Sequence, residues 1–197
     1  LTLDVTINPD FGQIEADPGV MNLTALESFF PEKRPFFTEG SSIFRFPIVP
    51  GDGGGLNESI FYSRRIGRAP QGSANPSVGY IDASDRATIL GAGKLSGKTE
   101  NGWSVGVLNA ITSSEYAQVA PRAGVPYEEA IEPLTNYGVL RVQKDFRGGR
   151  SAFGMIGTSV NRSGSIADQL ALRSAAYTGG IDLRHRFNDD VWELGGY

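Results

Sequence analysis

Residues 1–8 alternate Leu1, Leu3, Val5 and Ile7 against Thr2, Asp4, Thr6 and Asn8, which predicts a strand with one apolar face. From Ala87 onward the alternation returns in six longer runs, at 87–98, 103–112, 135–146, 151–161, 174–187 and from Val191 to the end. The first sets Ile89, Gly91, Gly93, Leu95 and Gly97 against Thr88, Ala92, Lys94, Ser96 and Lys98. The second sets Trp103, Val105, Val107 and Ile111 against Ser104, Gly106, Ala110 and Thr112, and the third opposes Leu140 and Val142 to Arg141, Gln143 and Asp145. The fifth is the clearest, with Ala175, Tyr177, Gly179, Ile181, Leu183 and Phe187 against Thr178, Gly180, Asp182, Arg184 and Arg186. The fourth, "SAFGMIGTSVN", is ambiguous between its faces.

Between Pro9 and about Gly79 the pattern breaks down, and this stretch holds eight of the 11 prolines. Within it "MNLTALESFF" predicts a short helix stopped by Pro31, while "IFRF" and "SIFYSRRI" predict short strands. "FFPEKRPFF", Phe29 to Phe37, reads as a rigid turn whose phenylalanines anchor it and whose Glu32, Lys33 and Arg34 are solvated or paired. The expected division is therefore an N-terminal strand and irregular region over 1–86, then long strands over 87–197.

Strands of soluble proteins have a mode of about 5–6 residues, whereas a tilted strand crossing a bilayer needs about 9–11. The connections alternate as well. "ENG", "RGGR" and "NDD" are tight turns, and the longer stretches 113–134 and 162–173 fall at the opposite end. Short turns at one end and long loops at the other are the plan of an outer-membrane barrel. The predicted fold is all-β: an antiparallel transmembrane β-barrel segment, incomplete because about eight strands are the fewest that close. A Pro/Gly-rich, plug-like region precedes it. A soluble β-sandwich binding module is the alternative that also alternates.

Composition narrows the function classes. Glycine is unusually abundant at 26 of 197 residues, which calls for tight turns or close backbone approach. A net charge of −4 gives no basic footprint for nucleic acid, so no nucleic-acid partner is expected. With no cysteine and the single histidine His185, thiolate metal sites, disulfides and histidine-centred triads are not expected, nor is any cofactor. No apolar run approaches the ~18–20 residues of a membrane helix, a test to which transmembrane strands are blind. The chain opens on an alternating segment without Met and closes in mid-pattern, which predicts a piece of a longer protein.

"INPDFGQIEADPGVMNLTALESFFPEKRPFFTEGSSIF" together with "FYSRRIGRAPQG" resembles the signature of an uncharacterised outer-membrane family of the DUF5916 type. The resemblance covers essentially the whole chain and is strongest at residues 4–46 and 61–72. It implies a β-barrel in the outer membrane of Gram-negative bacteria, usually preceded by a domain resembling carbohydrate-binding family 9. Outer-membrane lipid and a polar, carbohydrate-derived solute are the partners this implies. It brings no catalytic residues with it.

Two groups of residues are candidates for ligand or lumen contacts. Arg141, Asp182, Arg184 and Arg186, with Lys94, Lys98, Asp145 and Glu193, fall on the polar faces of neighbouring strands. Such charges select a polar or anionic solute or simply pair across strands. Arg64, Arg65 and Arg68 stand beside Tyr62, and guanidinium forks next to an aromatic suit carboxylates or phosphates. These arginines equally suit the acids Asp10, Glu15, Asp17, Glu32 and Glu39. Those carboxylates also raise a surface glycoside hydrolase as an alternative function. "PGDGGGLNES" lacks the acid spacing of a calcium loop. Trp103, Tyr177, His185, Phe187 and Trp192 are expected near membrane interfaces.

Overall fold

A computed structural model describes residues 1–9, 29–46 and 59–197. Among these, ten strands carry the fold: β1 (Thr2–Ile7), β2 (Gly79–Asp82), β3 (Ile89–Lys98), β4 (Trp103–Thr112), β5 (Glu115–Pro121), β6 (Tyr127–Glu132), β7 (Thr135–Phe146), β8 (Ser151–Arg162), β9 (Ala175–Phe187) and β10 (Trp192–Gly196). Two short helices, α1 (Pro35–Thr38) and α2 (Gly164–Gln169), complete it with three 3-10 turns. Seven strands form one antiparallel sheet in the order β1-β3-β4-β7-β8-β9-β10, which does not close on itself. The other three form a small sheet, β2-β5-β6.

All six predicted long runs are strands of the large sheet, and their tight turns are built by residues that accept a left-handed backbone. Gly102 (φ 80°) serves the β3–β4 turn, and Gly148 (φ 66°) and Gly149 (φ 90°) the β7–β8 turn. In the β9–β10 turn Asn188, Asp189 and Asp190 hold φ of 53°, 52° and 67°, a conformation that Asn and Asp tolerate better than other side chains.

One of the two longer connections, 113–134, is itself a hairpin. β5 continues β4 after two residues, and β6 returns into β7. The expected loop is structured because Ala117, Val119 and Ile131 bury a small core with Ala74, and β2 adds a third strand. "IFRF" and "SIFYSRRI" are not strands but contain the 3-10 turns Ser41–Phe44 and Ser63–Arg65. Local bonds such as Ile43 N–H to Gly40 O (3.0 Å) and Ile66 N–H to Ser63 O (2.9 Å) satisfy the backbone there. The predicted helix at 21–30 lies outside the described residues except for its last two.

The two faces of the large sheet differ sharply. One is covered by residues 29–46 and 59–68, and no described residue covers the other, the bare face. Phe37, Phe44, Phe46 and Ile66 pack onto Ile89, Ala92, Leu108, Ala110, Tyr137, Val139 and Ile156 of the covered face in one core. Ile89 joins this face because a bulge between Ile89 and Gly91 shifts the register, reversing the side on which strict alternation places it. On the bare face Leu3, Val5, Ile7, Val107, Leu140, Phe153, Met155, Ile181, Leu183, Trp192 and Leu194 are all exposed.

These exposed apolar positions form a slanted band. Val5, midway along β1's apolar row, lies level with Gly93, Asn109, Gly138, Ser159 and Tyr177 on successive strands. By β9 the apolar pair Ile181 and Leu183 centres on Asp182, five positions beyond Tyr177 toward the tight turns after five strand-to-strand steps. One residue per step, at ~3.3 Å rise and ~4.8 Å spacing, inclines the band by roughly 35° to the line perpendicular to the strands.

Candidate functional site

The covered face carries charge where the bare face carries hydrocarbon. Lys94 is 1% exposed, and its ammonium donates to the Phe36 and Glu39 carbonyls (2.6 and 2.7 Å) beside Asp4 at 3.2 Å. Further across the same face Arg141 grips both carboxylate oxygens of Asp182, one of them at 3.0 Å, and also donates to Gln143 (3.1 Å). Gln143 passes the chain of contacts to Asp145, which pairs with Lys98. Arg186 bonds Glu193 at 2.6 Å. Arg141 and Asp182 sit on strands separated by β8, and the bridge passes over Gly154. A Cβ there would meet the Arg141 and Asp182 side chains at 2.6 Å.

Glycine also seats the covering segment. A Cβ at Gly106 would stand 2.9 Å from the Phe44 ring, and one at Gly180 would stand 2.8 Å from Phe46 and Ile60. Strand positions without side chains thus become sockets for the aromatic residues of 29–46. The Phe46 ring in turn lies under the Arg141 guanidinium, 5.3 Å from its centroid, and Lys94 sits 5.0 Å from the Phe36 centroid.

"FFPEKRPFF" holds itself in place through its charges rather than solvating them. Arg34 is buried; it donates to the Ile66 and Ser63 carbonyls (2.7 and 2.9 Å) and pairs with Glu32 at 2.7 Å. Ser63 donates its hydroxyl to Glu32 at 2.6 Å, and the Tyr62 hydroxyl exchanges hydrogen bonds with the Phe30 backbone. Burial pushes the Glu32 carboxyl up, but the Arg34 and Ser63 hydrogen bonds and the Arg34 charge outweigh it. The net pKa lies below the ordinary 4.5.

Between 60–68 and the covered face lies a cavity of about 230 Å³. Its polar lining includes Tyr62, Arg65, Arg68, Thr158, Arg162 and Thr178, over a floor of Ile60, Phe61, Ile66, Val139 and Val160. It sits at the end of the sheet away from the tight turns. The buried Nε atoms of Arg68 and Arg162 have no hydrogen-bond partner among the described residues. Arg162 donates through Nη1 to the Arg173 carbonyl at 2.8 Å. Glu132 is buried nearby and is engaged by the Gln71 backbone N–H (2.8 Å) and side-chain amide (3.1 Å).

The two predicted groups are therefore separate places. Tyr62, Arg65 and Arg68 line the cavity, whereas Arg64 turns away to the Pro31 carbonyl at 3.0 Å. Arg141, Asp182, Arg184 and Arg186 belong to the charged row nearer the tight turns, where Arg184 also has a buried Nε without a partner among the described residues. Arg162, Thr158 and Thr178 escaped the sequence reading as cavity residues. Parity along β8 could have found Arg162, since it shares a face with Ile156, Thr158 and Val160, but the glycines of that strand blur its faces. Of the acids considered for hydrolysis, Asp10, Glu15 and Asp17 lie outside the described residues, as does 50–58 of the glycine-rich loop. No cluster of three metal-ligating side chains occurs among the described residues.

No curated protein and no solved structure matches the chain. A family model described as a domain of unknown function, DUF5916, matches residues 1–188. With that match spanning nearly its full length, over strands, cavity and charged row alike, the chain belongs to the DUF5916 family.

Proposed function

We propose that the large sheet is one arc of an outer-membrane β-barrel, that residues 29–46 and 59–68 lie in its lumen as a plug, and that the protein handles or passes a polar, carbohydrate-derived solute at the cell surface. The observation that carries this reading is the reversal of the two faces. A water-soluble sheet leaves its polar face to solvent; here an apolar face is bare, and the sheet's buried charges Lys94 and Arg141 lie beside a hydrophobic core beneath the covering segment. An exposed apolar surface of this extent needs a hydrophobic neighbour.

The slant supports the same reading. Strands of outer-membrane barrels tilt by about 35–45°, so a band parallel to the membrane must cross successive strands obliquely. The roughly 35° inclination of the band is the tilt such a strand requires. Aromatic side chains at the tight-turn end, Trp103, Phe146, Phe187 and Trp192, suit an interfacial girdle, with Lys144 5.1 Å from the Trp103 ring centroid. No helix among the described residues is long and apolar enough to cross a membrane, so spanning falls to strands. The carbohydrate character of the solute rests on the binding domain that usually accompanies the resembled family.

The test is the behaviour of the full-length protein. Extraction from membranes only with detergent, and a heat-dependent shift in gel migration of the folded form, are the expected results. A protein that stays monomeric and folded in buffer without detergent overturns the proposal.

A further inference from the structure

We infer that the 230 Å³ cavity is a binding site for the oxyanion end of a small hydroxylated solute, a carboxylate or a phosphate. The inference deepens the proposed function, on which it relies only for the solute's arrival from the side of the long connections.

Charge is the first argument. The lining holds Arg68 and Arg162, neither of which forms an ion pair among the described residues, and no Asp or Glu. The nearest buried carboxylate, Glu132, is already engaged by Gln71 and offsets one of them. Like charges gathered in a partly enclosed site repel, and the repulsion is relieved when an anion enters. The charged row near the tight turns differs here, since Arg141 and Arg186 have acids of their own.

Donor geometry is the second. Arg68 and Arg162 reach the cavity from opposite sides, one from the covering segment and one from the end of β8. The buried Nε of each lacks a partner, although a guanidinium offers five donors and binds oxyanions through two at once. Buried donors are normally satisfied, so two cavity-lining guanidinia without an acid partner, each keeping an unused donor, favour an acceptor between them. Thr158 and Thr178 add hydroxyls that both donate and accept, which suits a polyol body. The volume sets the scale. At ~30 Å³ per water it holds about eight waters, which is room for one acidic monosaccharide and not for a polymer.

The experiment is calorimetric titration of the purified full-length protein with glucuronate, glucose 6-phosphate, inorganic phosphate and neutral glucose. Binding of an acidic sugar, with glucose at least tenfold weaker, is expected, and the better of the two acidic sugars identifies the oxyanion. Arg68→Gln and Arg162→Gln should each weaken it by roughly 10- to 100-fold, the loss of a charge-assisted hydrogen bond. Arg184→Gln, in the charged row, should leave it unchanged. Thr178→Phe fills the mouth without touching any charge and should abolish binding, which decides the matter if an arginine variant fails to fold. Equal affinity for glucose and glucuronate, or an acidic ligand indifferent to both arginine variants and to Thr178→Phe, overturns the inference. Membrane residence is read separately by heat-dependent migration, so a soluble protein that still loses glucuronate through Arg68→Gln would end the barrel reading and leave this site standing.

Discussion

Leu140 and Arg141 are adjacent in one strand and live in opposite environments: the leucine is 43% exposed and the arginine 2%. The same inversion runs across the sheet, from Val5 and Lys94 at one edge to Leu183 and Asp182 near the other. Burying a guanidinium costs several kcal/mol unless its donors are matched, and here a carboxylate, an amide and a phenyl ring engage all of Arg141 but its buried Nε. Exposing a leucine costs only when its neighbour is water. The covered face supplies partners to Lys94 and Arg141, while its cavity arginines Arg68 and Arg162 keep unused donors, and no described residue covers the bare face. A sheet is specified by what each face meets, and a count of its hydrophobic residues does not reveal which.

The comparison breaks most decisively at Leu140. In a barrel wall Leu140→Arg places a guanidinium in hydrocarbon and costs roughly 2–4 kcal/mol at mid-bilayer. On a water-facing surface the same change lies within about ±0.5 kcal/mol. Val125, 81% exposed at the tip of the β5–β6 hairpin and outside the band, supplies the control. Assembly into outer-membrane vesicles, scored by heat-dependent migration, should collapse for Leu140→Arg and survive Val125→Arg. Equal tolerance of both would mean that the bare face meets water.

A smaller effect is expected where the covering segment meets the sheet. Gly106→Leu drives a side chain into the space held by Phe44 and Ile43, an overpacking that costs about 1–3 kcal/mol. Because Gly106 belongs to β4 and Phe44 to the cover, the strands should persist while residues 29–46 loosen. Faster protease cleavage within 29–46, with migration of the folded form retained, is the expected signature. Loss of the whole fold at once would instead show that the cover and the sheet form one cooperative unit.

How far the sequence disclosed these features depends on how local each one is. The six long strands and their direction, and the polar face of four of them, were legible because period-two alternation and turn-forming Gly, Asn and Asp are local signals. The pairing of β1 with β3 was not, since nothing in residues 2–7 names a partner more than eighty positions away. β5 and β6 were hidden by Pro121, Pro126 and Pro133, which punctuate the hairpin and read as loop. The face of Ile89 depended on a bulge that parity cannot foresee. In the candidate site, Tyr62, Arg65 and Arg68 were visible as a cluster, but Arg162 enters their cavity from 94 positions further along than Arg68. For Arg34 the sequence left solvation and pairing both open, and the structure shows pairing with Glu32 and with carbonyls from 63–66, a partner set no local signal names.

That last arrangement gives the smallest and most specific effect. Glu32 holds Arg34 and accepts from Ser63, so its carboxylate ties 32–34 to 63–66. Its pKa is lowered in the folded protein, so the carboxylate binds fewer protons there than in the unfolded chain. The stability it contributes is fully present above its ordinary value of 4.5 and is lost as pH falls through the lower folded value. Acidification below about 4.5 should therefore lower the protection of the Phe37 and Thr38 amides, which bond to the Arg34 carbonyl, relative to their intrinsic exchange rate at each pH. Glu32→Gln should cost about 1 kcal/mol at neutral pH, a typical net hydrogen bond. It should also flatten the acid dependence of those two amides while leaving exchange along β7 and β8 unaltered. Retention of the acid step in Glu32→Gln would move its origin to another carboxylate.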